Sequence, residues 1–225
     1  MRRAILLGAG PKTCRQFGLG KPAEVAGVIL GLVVCLLACG CGDSRSPLSD
    51  PNTSKPDKRL AGIWQWRGEN GEVAYFHIGQ AGDKFPDSVL RVVAAKHESG
   101  KVEPPEEYLM FPTLLEEKSY MNVVVDPKQV KALNEKGWDP ALVETYIFLK
   151  YKVDGDKAAI WLTDSQVKER AIKAGEMKGV VEPRKSPLFT GSTEEVARFV
   201  AKAGDSLFNM KDMAQLKRID AERKP

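Results

Sequence analysis

Apolar and polar positions are distributed along this chain in three different ways. Residues 25–38 form an uncharged apolar run from Val25 to Ala38, whereas residues 43–58 carry three Pro, four Ser and almost nothing apolar. From Leu60 onward, short alternating or β-branched stretches are separated by turn residues. Ile63–Arg67 alternates and stops at Gly68-Glu69-Asn70-Gly71, and Val73–Ile78 reads as the next strand. Val89–Ala95, Tyr108–Leu115 and Tyr120–Val125 are further β-prone runs, with Pro112 implying an edge or a break in the second. Thr145–Val153 and Lys157–Leu162 flank Asp154-Gly155-Asp156, a hairpin signal that puts Ile147, Leu149 and Tyr151 on one face and Phe148, Lys150 and Lys152 on the other.

Helical signals are fewer. Asp126-Pro127 supplies a cap and a first-turn proline, and Gly137 a stop. Asp139-Pro140 repeats the start signal briefly. Asp164 or Ser165 can cap a helix to about Ala174, and Ser192-Thr193-Glu194-Glu195 is a capping box for a helix to about Ala203. Beyond Phe208, Met210, Met213, Leu216 and Ile219 recur every three residues, a spacing that suits a helix or a strand. Clustered strands without long crossover helices predict an α+β fold, mainly an antiparallel sheet or small open β-barrel with several short packed helices. The expected organisation is a signal peptide over 1–38, an anchored cysteine and flexible tether over 39–58, one globular domain over 59–220 and a frayed tail over 221–225.

Composition sharpens this picture. The chain has 225 residues, 43% hydrophobic, enough for one ordinary domain. Its net charge of +4 belongs to the leader, which holds five basic residues and one acidic residue before Cys39 and leaves 29 of each sign behind it. A near-neutral product argues against a nucleic-acid partner bound through a bulk positive field. The four cysteines stand at 14, 35, 39 and 41, so no disulfide can form beyond Cys41 and the domain must be held by its own core.

Leu36-Leu37-Ala38-Cys39 resembles the lipobox of bacterial lipoprotein signal peptides. The resemblance implies that Cys39 receives a diacylglycerol, that cleavage falls before it, and that its new amino group is acylated. Several acyl chains make a stable anchor where one is marginal. Ala38-Cys39-Gly40-Cys41 offers a second register that would modify Cys41 instead. The family sorting pattern keeps a protein at the inner membrane when Asp follows the cysteine. Gly40 stands there, which favours the outer membrane. Gly62-Ile63-Trp64 also resembles the Gly-x-Trp opening of lipocalin-like barrels, in which the Trp closes one end of the cup.

Candidate chemistry is sparse. His77 and His97 lie in different segments, and no short His, Cys or Asp spacing supplies a metal site. The nucleophile-elbow and zinc-protease motifs are missing, and no cofactor motif is placed in the domain. Trp64, Trp66 and Tyr75 are the candidates to line a ligand cup. The sequence therefore predicts a lipid-anchored envelope protein, not an enzyme, with a protein-interaction or structural role and an envelope protein as partner. Its alternatives are lipocalin-like binding of a small apolar ligand, or hydrolysis by paired carboxylates.

Overall fold

The computed structural model describes residues 43–68, 71–98 and 101–219. The expected signal peptide over 1–38, Cys39, Cys41 and the expected frayed tail over 221–225 lie outside the described residues. Among the described residues eleven strands are present: β1 (Gly62–Arg67), β2 (Val73–Gln80), β3 (Leu90–Glu98), β4 (Lys101–Val102), β5 (Glu106–Leu115), β6 (Lys118–Val124), β7 (Ile147–Asp154), β8 (Lys157–Thr163), β9 (Gly179–Val180), β10 (Leu188–Phe189) and β11 (Phe208–Arg218). Three α-helices accompany them among the described residues: α1 (Pro127–Lys136), α2 (Ser165–Lys173) and α3 (Thr193–Ala203).

Eight strands run antiparallel in the order β1-β2-β3-β5-β6-β7-β8-β11, and β11 pairs back onto β1. The barrel is closed where the sequence left open an unclosed one. Closure comes from the tail: Trp64, Gln65 and Trp66 face Arg218, Lys217 and Leu216. The period of three in that tail is compatible with a strand because the register shifts between Phe208 and Met213, a bulge that interrupts strict alternation. Each inward side chain is set by strand parity. In the hairpin β7–β8, Ile147, Leu149 and Tyr151 point inward, as the alternation requires.

Two apolar clusters result, one on either side of the barrel wall. The inner cluster includes Trp64, Trp66, Val92, Met110, Val123 and Leu216. The outer cluster joins Leu109, Phe111, Tyr120, Val124 and Phe148 to Leu133 of α1, Ala171 of α2 and Val196 and Val200 of α3. Strands β5 and β6 are therefore covered on both faces, which explains why Tyr108–Thr113 and Tyr120–Val124 are buried without a break rather than alternately. Pro112 fits because β3 pairs with β5 only as far as Met110, leaving no ladder partner on that side for a missing N–H.

The helices begin and end on the expected residues. Asp126, Asp164 and Ser192 cap α1, α2 and α3, the last in a complete capping box with Glu195. Gly137 ends α1 at a φ of 91°, a conformation that favours glycine.

The segment 43–58 is not a flexible tether. It is a strap fastened along the outer face, with Asp43 and Ser44 buried and Leu48 2% exposed. Its polar groups, which had suggested solvation, are spent on partners in the wall. The Leu48 N–H donates to Oδ1 of Asn122 at 2.6 Å, and Asn122 is itself wholly buried. Ser88 Oγ donates to the Pro51 carbonyl, and the hydroxyls of Ser49 and Thr113 are bonded to each other. The folded domain therefore includes the strap from Asp43 onward, and the strap leads directly into Leu60 and β1.

Candidate functional site: the barrel interior

The interior is plugged at the end where β1 starts. Leu60, 5% exposed, ends a 3-10 turn beneath the wall, and Trp64, 1% exposed, donates its indole N–H to the Leu60 carbonyl at 2.8 Å. The guanidinium of Arg218 lies 4.6 Å from the centre of the Trp64 ring and donates to the carbonyls of Ala61 and Arg59. Nearby, Tyr151 donates its hydroxyl to Asp57 at 3.0 Å. Burial raises the Tyr151 hydroxyl well above its usual value, and the charge of Asp57 raises it further. It stays a neutral donor. For Asp57, burial alone would push the carboxyl up, but its bonds from Arg59 and Tyr151 hold it below the usual carboxylate range.

Above that plug lies a cavity of about 140 Å³ with almost wholly apolar walls. Trp64 and Trp66 line it, together with Phe76, Val92, Leu149 and Ile160 among others. Phe76, Leu149, Ile160, Leu162 and Ala214 point inward, line the cavity and keep partial exposure. An apolar void of about 150 Å³ stays dry and takes up a benzene-sized guest. This space has the same scale and the same lining chemistry.

The opposite end carries charge. Lys96, 8% exposed, places Nζ 2.6 Å from Oε2 of Glu106, and the Tyr108 hydroxyl donates to the same oxygen. Burial pushes the Glu106 carboxyl up, but the bonds from Lys96 and Tyr108 outweigh it and hold the group below its usual value. Tyr108 is driven far upward, first by burial and then by Glu106, so it remains a donor at any working pH. These groups satisfy one another, which leaves the cavity without a polar contact of its own.

Two of the three residues expected to line a cup do so. Trp64 and Trp66 share the inward face, but Tyr75 does not join them. It sits between inward-facing Ala74 and Phe76 on β2, so parity turns it outward, where its hydroxyl accepts from Gln65 Nε2 at 3.0 Å. The ring that completes the cup is Phe76, the register partner of Trp64. Nothing in β2 alone marked it, but the pairing with β1 does.

Other candidate chemistry is dispersed. His77 and His97 are exposed and face Val93 and Val73 across their ladders. Among the described residues no group of three or more His, Cys, Asp or Glu side chains is arranged to hold a metal ion. No carboxylate lines the cavity, so the paired-carboxylate reading has no cleft there to work in. The described helices include none long and apolar enough to cross a membrane.

No protein-family model, curated protein or solved structure matches the chain.

Proposed function

We propose that this protein is a lipid-anchored envelope lipoprotein whose closed barrel takes up a small, wholly apolar ligand. Cys39 carries the anchor, in an envelope membrane and by preference the outer one, and the domain performs no catalysis. One observation carries the binding role: a cavity of about 140 Å³ inside the barrel, lined by Trp64, Trp66 and Phe76 and offering no polar partner. The size decides the ligand class. Each buried methylene contributes about 0.8 kcal/mol, so a ring or short alkyl chain of about six carbons gains about 5 kcal/mol. That corresponds to a dissociation constant of roughly 0.2 mM before the costs of association, a carrier's affinity rather than a receptor's.

An interaction surface for another envelope protein has less to support it. The most exposed large apolar side chains among the described residues, Val102 on β4 and Leu114 near the end of β5, do not form one patch. Two measurements test the reading. Mass spectrometry of protein extracted from native membranes is expected to find residues 1–38 removed, acyl chains on Cys39 and a small apolar compound released on denaturation. Protein with neither Cys39 nor Cys41 modified would refute the anchor, and a ligand-free protein that binds no toluene would refute the cup.

A further inference from the structure

The first described residue is also one of the most firmly held. Asp43 is 5% exposed, and its carboxylate accepts from three donors in the wall and in α2. The Phe148 N–H and the Thr163 hydroxyl each donate at 2.8 Å, and Nζ of Lys168, itself wholly buried, is bonded to Oδ1. The backbone adds more: Asp43 N–H donates to the Tyr146 carbonyl at 2.7 Å, and its own carbonyl accepts from Phe189 N–H at 2.9 Å. A buried ammonium and carboxylate left without each other would each cost several kcal/mol, so this point of the chain does not drift.

Its place in the barrel matters. Thr163 ends β8 and Tyr146 immediately precedes β7, so Asp43 is fixed on the rim opposite the Trp64–Arg218 plug. That is the same end at which Leu162 and Ile147 border the cavity. Cys39 stands four positions before Asp43. Fully extended, four residues span about 14 Å. With the segment 43–58 docked as a strap, no further slack exists between the anchor and the rim.

We propose that the β7–β8 rim faces the bilayer that holds Cys39, and that the Trp64–Arg218 end points away from it. This rests on the lipoprotein reading above and adds to it a fixed orientation: the ligand reaches the cavity from the membrane side. The exposed side chain of Arg45, two residues beyond Asp43, then lies at headgroup level, where a cation is favoured beside anionic lipid. The turn at Gly155-Asp156 lies at the far end of β7, about 20 Å away along the strand.

The test uses the mature lipoprotein, carrying Cys41→Ser, reconstituted into phosphatidylethanolamine and phosphatidylglycerol vesicles with a headgroup nitroxide. A fluorophore is placed by Arg45→Cys in one preparation and by Asp156→Cys in another. Strong quenching at position 45 and at least fivefold weaker quenching at 156 is the expected result. Inserting about 15 Gly and Ser residues between Gly42 and Asp43 adds a reach of about 20 Å and should bring the two positions to similar, weak quenching. Equal quenching without the insertion, or stronger quenching at 156, overturns the orientation while the protein still sediments with vesicles. A protein that does not sediment at all overturns the anchor instead.

Discussion

Arg218, in the last strand, stacks on the ring of Trp64, in the first, with 4.6 Å between the guanidinium carbon and the ring centre. The contact joins the two strands whose pairing closes the barrel, and the same guanidinium ties down the carbonyls of Ala61 and Arg59 beneath the plug. Replacing Arg218 by Ala should therefore cost about 2–3 kcal/mol, from a desolvated cation–π contact together with lost charged hydrogen bonds. Arg218→Lys should recover only part of this, because one ammonium cannot stack and reach both carbonyls. The midpoint of urea unfolding, compared at a common slope, measures the difference.

Asp43 and Lys168 make a second prediction with a sharper sign. Lys168→Met leaves the Asp43 carboxylate buried with only neutral donors and should cost about 3–5 kcal/mol. The double variant Asp43→Asn with Lys168→Met should be less destabilised than that single one, since no uncompensated charge remains. Thermal unfolding of the wild type, Asp43→Asn, Lys168→Met and the double variant, evaluated as a double-mutant cycle, reports the coupling.

The strap gives a third. Leu48 is 2% exposed within the outer cluster, so Leu48→Ala should cost about 2–4 kcal/mol. A flexible tether would tolerate the change with no loss of stability. Limited proteolysis supplies an independent reading: cleavage within 43–58 should require global unfolding in the wild-type protein and become easier in the variant.

Acid should weaken the charged rim. The Glu106 carboxyl lies below its usual value of 4.5 in the fold, so its contribution is fully present above that pH and is lost as pH falls through the lowered value. Stability of the wild-type protein should drop more between about pH 5 and about pH 3 than that of Glu106→Gln. The urea midpoints of the two proteins across that range carry the comparison.

Much of the barrel was legible because a half-buried strand alternates. β1, β7 and the Asp154-Gly155-Asp156 hairpin announced themselves through one-sided burial and a turn that only a few residues satisfy. β5 and β6 were visible as β-prone runs, but their outer cover was not, since a run of Val and Met does not say what packs on each side. Closure was hidden for another reason: the bulge in β11 disguises its alternation, and pairing between the first and last strands leaves no local signal. The strap was misread through composition. Its Ser, Pro and Asp residues looked solvated, whereas Asn122, Thr113, Ser88 and Lys168 wait for them far along the chain. For the cup, residue type identified Trp64 and Trp66, and parity rather than type excludes Tyr75 and brings in Phe76.

The central claim is that the barrel interior binds small apolar molecules, and NMR of the purified protein titrated with toluene tests it most directly. Saturable shifts are expected at the methyl groups of Leu149 and Ile160 and at the Trp66 ring, with a dissociation constant near or below about 1 mM. In Ala214→Leu, which fills part of the cavity at a stability cost of about 1–3 kcal/mol, the same shifts should weaken at least tenfold. Shifts confined to surface positions, or unchanged by Ala214→Leu, would contradict the account.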